Sequence, residues 1–477
     1  MKKCLIHPMT ETYRHYLIDE SHMTGSAESI SFPESEVAIR QILRVLQENQ
    51  IPITIQGGKT GIVGSAVPLR GHIMNLSKMK RVKSFFTTED GSALLKVEPG
   101  VTLIELRKMI ERLETPKKLC WPPESSEATA TVGGVASTGA KGICSRIYGD
   151  TGSYVEGIRI MNAEGSVIEI KKGQSAILMN AESKDLLEVF LGGEGMYGVI
   201  TELTLRLLPK PAEIWGISFF FENQDDGLSF VDKLKDKSWE VAGAQIAAIE
   251  YLDRVTIETI EKHKQYMTKL RAVPEIAPDT SSMVYVEIHG ERQEPIETIA
   301  EVLMSVGRHL NSDPCKTWAF SGEHEIEKMR SYLHASMETA ILHIEKVRIE
   351  DPRITKLGID MSLENQNLKA LVGHVETLLQ EESLIGNLFG HVGDNTLHIN
   401  ILPKNHDDYI KGKAVLEEWA ENFTAFLGKA IKAYGIGKLK KSIFLKATPN
   451  AFIEEIIQLK KQLDKNNLWN PGNMIEI

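Results

Sequence analysis

The sequence predicts an α+β protein built in two parts, and three observations carry that prediction. Strand-like and helix-like patterns alternate through the first 210 residues. Pro209-Lys-Pro211 then interrupts the chain, because proline lacks a backbone donor and restricts the residue before it. Beyond it, strand-like runs at 216–221, 283–289 and 397–402 are interleaved with long helices carrying polar faces. At about 150 residues per domain, the 477 residues suffice for two or three.

Each element has a local cause. Ser35 precedes Ile39, Ile42, Leu43 and Leu46, the spacing of one helix face opened by a capping residue. Ile51 to Gln56 reads as a short strand broken by Gly57-Gly58. Thr102 and Glu105 have capping-box spacing, with Val101 and Leu106 placed to staple it. Leu103, Leu106, Met109, Ile110 and Leu113 continue that helix. Val155 to Met161 and Val167 to Ile170 flank Glu164-Gly165 as a hairpin, and Val199 to Leu208 is a β-rich run. Further on, Leu416 to Tyr434 reads as one helix and Pro449 to Leu463 as another, ahead of the loop Leu468-Trp-Asn-Pro-Gly472.

Composition narrows the function classes. Hydrophobic residues make up 42% and charged residues 25%, as in a soluble globular protein. Lys+Arg 55 against Asp+Glu 65 gives a net charge of -10, so the basic footprint of a nucleic-acid binder is missing and no nucleic-acid partner is expected. A strongly acidic small substrate would need a local cluster of cations. Cys4, Cys120, Cys144 and Cys315 show no C-x-x-C spacing, which argues against a zinc ribbon or an iron–sulfur cluster and for free thiols in a reducing compartment. The first residues, Met1 to Tyr16, start basic but lack an apolar segment, and no run approaches the roughly 20 apolar residues that span a bilayer. The expectation is a cytoplasmic protein with no transmembrane segment.

Two familiar motifs fail on context. Gly193-Glu-Gly-Met-Tyr-Gly198 matches the dinucleotide fingerprint, which must open a helix; here a strand pattern follows. Gly58-Lys59-Thr60 resembles the end of a P-loop, but Ile53 stands where that loop needs its first glycine. What remains is three glycine-rich loops, each after a strand pattern: Gln56 to Gly64, Pro122-Pro123 leading to Thr131 through Gly142, and Gly192 to Gly198. Glycine lets backbone approach a ligand closely and turn φ positive, so that amides form an anion nest. Together these loops imply a phosphate-bearing cofactor.

In order and wording the loops resemble the FAD-binding domain of the vanillyl-alcohol oxidase superfamily. Gln56 to Gly61 is similar to its R-G-G-G-T-G. Pro122, Pro123, Thr131-Val-Gly-Gly134, Thr138-Gly-Ala-Lys-Gly142 and Tyr148-Gly149 are similar to its P-P…T-I-G-G…N-A-G-G…Y-G. Gly192 to Thr201 is similar to G-S-E-G-T-L-G-I-I-T. Downstream, Phe389-Gly-His-Val-Gly-Asp394 through Leu397-His-Ile-Asn400 resembles the G-H-x-G-D-G-N-L-H-x-N stretch of the branch holding D-lactate dehydrogenase, D-2-hydroxyglutarate dehydrogenase and the glycolate oxidase flavin subunit. Asn470-Pro-Gly472 matches its closing N-P-G. The resemblance implies a PCMH-type FAD-binding domain in two parts, 1–211 and 441–477, around an α/β cap domain with an antiparallel sheet at 212–440. It implies FAD contacts at Gly57, Gly58, Lys59, Thr60, Gly61 and Gly64, at Pro123, Gly133, Gly134, Ser137, Gly142 and Tyr148, and at Val199 and Ile200. Relatives with covalent flavin carry a histidine in one of these loops; Lys59 and Thr60 stand in the first, so the FAD is expected to be non-covalent.

The resemblance also implies a reaction: oxidation of a small 2-hydroxy acid to the 2-keto acid, with electrons passed to an electron-transfer flavoprotein, an iron–sulfur subunit or a quinone. A related flavoenzyme with a different substrate, and a non-catalytic flavoprotein subunit, stay open beside it. Alternation puts His398 and Asn400 on one strand face. In the related dehydrogenases the pair His391 and His398 corresponds to divalent-metal ligands. Arg330, placed at the start of a helix-like run with His334 one turn on, and Lys356, ahead of Gly358-Ile-Asp360, resemble the substrate-carboxylate cations. Where the family has E-H-G-I-G this chain reads Ala433-Tyr434-Gly-Ile-Gly437. Ala433 cannot ligate, so weak or absent metal binding is expected, with His398 as the base and Tyr434 as a hydrogen-bond donor to substrate.

Overall fold

The computed structural model describes residues 5–123, 125, 127–176, 184–235, 241–362, 367–426 and 435–477. The chain folds into two units. Unit 1 contains Met1–Gly142, Asp150–Lys210 and Lys432–Ile477; unit 2 contains Ile143–Gly149 and Pro211–Ile431. This division differs from segments read off the sequence in three places: residues 143–149 and Pro211 belong to unit 2, and 432–440 to unit 1. The first difference has a packing cause. Ile143 and Cys144 are buried in the same core as Ala247 and Ala248, and Arg146 donates through Nη1 to the Ile246 carbonyl.

Unit 1 holds β1 (Ile6–Pro8), β2 (Ser29–Ser31), β3 (Ile53–Gln56), β4 (His72–Asn75), β5 (Val82–Thr87), β6 (Ala93–Val97), β7 (Leu119–Cys120), β8 (Val155–Met161), β9 (Val167–Lys171), β10 (Ser175–Ala176), β11 (Lys184–Asp185) and β12 (Val199–Pro209). A small sheet runs β1-β2-β4-β3, with β2 and β3 both parallel to β4. The larger, antiparallel sheet runs β5-β6-β12-β8-β9, with β7 against the end of β12; β10 and β11 pair separately. Helix Glu36–Glu48 forms as its spacing predicts: the Ser35 side chain accepts from the Ala38 amide, and Ile39, Ile42, Leu43 and Leu46 are buried. Helix Leu103–Glu111 has both bonds of the Thr102–Glu105 capping box, and Val101 and Leu106 lie in one core cluster.

The C-terminal loop closes unit 1. β3 is an edge strand, and Leu468 to Asn470 lies along it: the Ile53 amide donates to the Leu468 carbonyl (2.6 Å) and the Asn470 amide to the Ile53 carbonyl (2.8 Å). The Ile55 amide donates to Asn470 Oδ1 (2.7 Å). Trp469 is fully buried between them.

Unit 2 holds β13 (Glu213–Phe221), β14 (Ala244–Asp253), β15 (Ser282–Gly290), β16 (Trp318–Ser321), β17 (Leu357–Ser362), β18 (Gly386–Gly390) and β19 (Thr396–Ile401). They form one antiparallel sheet in the order β16-β13-β15-β14-β18-β19-β17. Every residue of the central β15 is buried, Glu287 and His289 included, so its polar groups require protein partners. The helix expected from Leu416 begins ten residues earlier: His406–Phe426 is helical, and its polar first turn (His406-Asp-Asp408, with Asn405 accepting from the Asp408 amide) masks the start from a hydrophobic pattern. Residues 427–434, the rest of that expected helix, lie outside the described residues. Among the described residues no helix is long and apolar enough to cross a membrane.

Candidate active site

In unit 1 the first two glycine loops pack against each other. Thr131 caps helix Val132–Thr138, its Oγ1 accepting from the Gly134 amide (3.2 Å). A Cβ on Gly57 would lie 2.2 Å from that same Oγ1, and one on Gly58 would lie 2.8 Å from the Thr129 carbonyl; only glycine fits. Gly58 is exposed, and the Gly61 Cβ position is open apart from Asp19 Oδ2 at 3.9 Å. Such a side-chain-free surface is the frame a phosphate-bearing cofactor requires, and FAD fits it. Not every expected contact is open to a ligand: the Gly133 amide donates to the Pro99 carbonyl (2.9 Å) and the Gly134 amide to Thr131, so both serve the fold. Lys59 adopts φ +61, and its ammonium lies over the Tyr16 ring. Pro123 is buried beside Trp121, and Val199 and Ile200 are buried at the start of β12.

The third loop ties the frame together. Gly192, Gly195 and Gly198 all have positive φ. Between them Glu194, 3% exposed, accepts from the amides of Ile436 and Gly437 (2.8 Å for the latter), while its own amide donates to the Ser137 carbonyl. Its carbonyl accepts from Asn470 Nδ2 (2.6 Å). One side chain therefore fixes the segment just after Tyr434; Tyr434 and Ala433 themselves lie outside the described residues. Glu194→Ala strands two buried amides, at a cost of about 1–3 kcal/mol each, and is expected to lower the unfolding midpoint and loosen FAD together; an unchanged urea midpoint would contradict this.

Unit 2 collects the ionisable groups. His391 Nδ1 meets both carboxylate oxygens of Glu250 (2.8 and 2.9 Å), and His398 Nδ1 meets Asp360 Oδ1 (2.8 Å). The two rings are perpendicular, 5.4 Å apart. Burial raises the Glu250 pKa, opposed by the His391 partner. Asn400, two residues along from His398, donates to Asn387 Oδ1 (3.1 Å). Gly358 pairs with Asn400 across the sheet, and a Cβ there would lie 2.5 Å from Asn400 Oδ1 and 2.8 Å from Lys356 Nζ. The missing side chain is what lets the Lys356 ammonium fold back beside Asn400. His391, His398, Asn400 and Lys356 are thus brought together.

Arg330 is engaged elsewhere. It sits two turns into helix Glu323–Arg348, not at its start, because Glu323 and Glu325 lead the helix with polar residues. Its Nε donates to Glu287 Oε2 (3.0 Å) and its Nη2 to Oε1. Glu287 also accepts from the Tyr285 hydroxyl (2.8 Å), from His289 Nε2 (2.7 Å) and from Cys144 Sγ (3.2 Å). Burial works to raise the Glu287 pKa, but the Arg330 charge and the bonds from His289 and Arg330 outweigh it and hold the carboxyl well below its usual range. Tyr148, expected at the cofactor, donates or accepts at His289 Nδ1 (3.0 Å) within unit 2. Cys144, Glu287 and His289 have the donor set of a cation site, yet Arg330 already supplies the cation and the carboxylate has no lone pair to spare. Sequence reasoning does not single out Glu287, His289, Glu250 and Asp360, the partners that hold these side chains; the alternation that puts His398 and Asn400 on one face does the same for Glu287 and His289.

Comparison with known proteins agrees along the whole chain. The FAD binding domain family matches residues 27–171, and the family of FAD linked oxidases, C-terminal domain, matches residues 210–474. D-lactate dehydrogenase from Anaerostipes hadrus is 24% identical over 98% of this chain and 93% of its own length. Glycolate oxidase subunit GlcD from Bacillus subtilis is 23% identical, covering 94% and 88%, and D-2-hydroxyglutarate dehydrogenase from Stutzerimonas stutzeri is 24% identical, covering 95% and 92%. Among solved structures, p-cresol methylhydroxylase with substrate bound has a TM-score of 0.71 at 16% identity, over 99% of this chain and 94% of its own. 4-Ethylphenol oxidase from Gulosibacter chungangensis also reaches 0.71 at 16%, over 98% and 94%. The glycine frame has the chemistry of a flavin cradle, the fold is the PCMH type, and the chain belongs to the FAD-linked oxidases.

Proposed function

We propose that this chain is a dehydrogenase of a small 2-hydroxy acid, of the D-lactate or glycolate type, forming the 2-keto acid and passing electrons to a separate acceptor. The observation that carries the reading is the convergence, in unit 2, of a buried ammonium, an amide and two imidazoles each fixed by a carboxylate. The names of the relatives above support it. Lys356 binds the substrate carboxylate, with Arg330 as a fixed positive charge held by Glu287. His398, locked through Nδ1 by Asp360, is placed against the hydroxyl, and Asn400 and Tyr434 supply hydrogen bonds. Bound FAD supplies the hydride acceptor, held non-covalently by residues 1–211 and 441–477, with 212–440 carrying the substrate. His391 and His398 alone give two metal ligands, fewer than the three of a usual catalytic site, so a divalent ion binds weakly or not at all. The acceptor is an electron-transfer flavoprotein, an iron–sulfur subunit or a quinone, and the protein works in the cytoplasm.

The test is anaerobic bleaching of the FAD-loaded protein by D-lactate, glycolate and D-2-hydroxyglutarate. At least one acid is expected to bleach it, His398→Ala is expected to slow bleaching at least about tenfold, and denaturation is expected to release the yellow colour. Bleaching by none of the acids removes the reading. Stoichiometric zinc or manganese, with bleaching lost on chelation, removes the weak-metal part of it.

A further inference from the structure

We propose that Asp19 is a cofactor-binding residue of unit 1, whose Oδ2 accepts a hydrogen bond from a sugar hydroxyl of FAD beside the first glycine loop. The inference goes beyond the hydroxy-acid reading and does not depend on it, because it concerns how the cofactor is held and not what it oxidises.

The two oxygens of Asp19 have different surroundings. The residue is 6% exposed. Oδ1 accepts from the Ser21 amide (3.0 Å) and from the Ser21 hydroxyl (2.5 Å). Oδ2 is buried and accepts no hydrogen bond from any described residue. Such a carboxylate bears the cost of desolvation with only part of its bonds made. Burial accordingly raises its pKa from 3.8 to about 6, against the opposing bonds from Ser21 and the charge of Lys438. The two ammonium groups whose charge interacts with Asp19 have their hydrogens engaged elsewhere. Lys438 donates to the Gly64 carbonyl (3.2 Å), the Ser65 carbonyl (3.5 Å) and Asn473 Oδ1 (2.6 Å), which uses all three of its hydrogens. Lys59 donates to the His15 carbonyl and lies over the Tyr16 ring, 4.9 Å from its centroid. The donor that Oδ2 requires therefore comes from a ligand.

The chain fixes this oxygen against the cofactor frame. A Cβ on Gly61 would meet Asp19 Oδ2 at 3.9 Å and no other atom within 4 Å, so this glycine, itself partly exposed, leaves the approach to the carboxylate clear. Bonds on either side of Asp19 tie its segment to the same loop: the Glu20 amide donates to the Lys59 carbonyl (3.4 Å), and Gln56 Nε2 donates to the Tyr16 carbonyl (2.8 Å). The Gly25 amide donates to the Leu17 carbonyl (2.8 Å) and closes the turn. The carboxylate is thus held in place by protein bonds alone, which lowers the cost of ordering it on binding. Asp19 lies ahead of residues 27–171, the stretch that the FAD binding domain family matches.

Chemistry selects the part of FAD. The diphosphate has no hydrogen to donate at neutral pH, and its charge is repelled by a carboxylate; backbone amides of the glycine loop suit it instead. A sugar hydroxyl is neutral and carries one hydrogen, and its bond to a carboxylate is of the short, charge-assisted kind. FAD has such hydroxyls on both sides of the diphosphate, in the ribityl chain and in the adenosine ribose.

The experiment measures, by flavin fluorescence, the dissociation constants of FAD and of FAD analogues each lacking a single sugar hydroxyl, for the full-length parent and Asp19→Asn. On the parent at least one analogue is expected to bind roughly ten- to a hundredfold more weakly than FAD. A ribityl analogue would put Asp19 on the flavin side, and a ribose analogue would put it on the adenosine side. Asp19→Asn is expected to bind FAD more weakly by a similar factor, and to bind FAD and that analogue within about twofold of each other. A role in the fold alone would weaken FAD and every analogue alike. Analogues that all bind the parent within about twofold of FAD overturn the proposal, as does an analogue deficit that survives undiminished in Asp19→Asn. If Asp19→Asn does not fold, Asp19→Glu replaces it under the same criteria. A protein that holds FAD in this way but bleaches with none of the hydroxy acids loses the substrate reading and keeps this one.

Discussion

Replacing Lys460 with methionine is expected to lower the unfolding free energy by roughly 3–5 kcal/mol, the usual cost of removing one partner from a buried ion pair. The Lys460 side chain is 2% exposed and that of Asp464 is 0% exposed. Its ammonium donates to Asp464 Oδ2 (2.6 Å), to the Met196 carbonyl (2.7 Å) and to the Trp469 carbonyl (2.6 Å). Asp464 in turn accepts from the amides of Leu468 (3.0 Å) and Trp469 (2.8 Å). Methionine matches the length of the stem but offers no donor, so a carboxylate and two carbonyls lose their partner in a site water cannot enter. Urea unfolding followed by tryptophan fluorescence is the measurement. A loss under about 1 kcal/mol would mean that water reaches the carboxylate in the folded protein. Because the two residues share partners, Lys460→Met with Asp464→Asn should cost less than the sum of the single changes.

The second large effect depends on pH. His72 is fully buried, with Ser29 Oγ on Nδ1 (2.8 Å) and Ser31 Oγ on Nε2 (2.7 Å), and burial pushes its pKa from 6.5 down to about 4. Between those values the unfolded chain binds a proton that the folded chain refuses. The contribution of His72 to stability therefore falls as pH drops from about 6.5 and is gone by about pH 4, roughly 3 kcal/mol in all at 1.4 kcal/mol per unit. Asp253 in unit 2 moves the other way. Burial, opposed by bonds from Thr256, raises its pKa from 3.8 to about 7, so acidification over the same window relieves a cost. Amide exchange at pH 7 and pH 5 should show β2 and β4 losing protection at the lower pH. His72→Leu, which cannot titrate, is expected to flatten that change; an unaltered pH slope in this variant would remove the assignment.

Local rules are legible wherever a residue acts on its own neighbours. The Ser35 cap and the Thr102–Glu105 box form as spaced, and the strand after Gly198 by itself excludes a dinucleotide fingerprint. The glycine loops resemble one superfamily closely enough to give the cofactor and the fold. What stays hidden depends on pairs distant in sequence. Nothing near Glu250 announces His391, which is 141 residues away, and nothing near Arg330 announces Glu287. Tyr148 reads with the loop that contains it, because a motif cannot show that its last residues cross into another unit. Amides at Gly133 and Gly134 look open to a ligand because hydrogen bonds to Pro99 and Thr131 cannot be read from glycine spacing.

The loop that lies along β3 also sets a timetable. Ile55 and Asn470 are 415 residues apart, and at about 5–20 residues per second a ribosome needs roughly 20–80 s to deliver the second after the first. Until then the nascent small sheet keeps an open strand edge, the kind of surface that recruits stray chains. Unit 2 can be fully synthesised during that wait, so the flavin-binding half is the last to mature although its first residues leave the ribosome first. Slow translation or a missing C-terminus would therefore be felt as poor flavin loading and as aggregation.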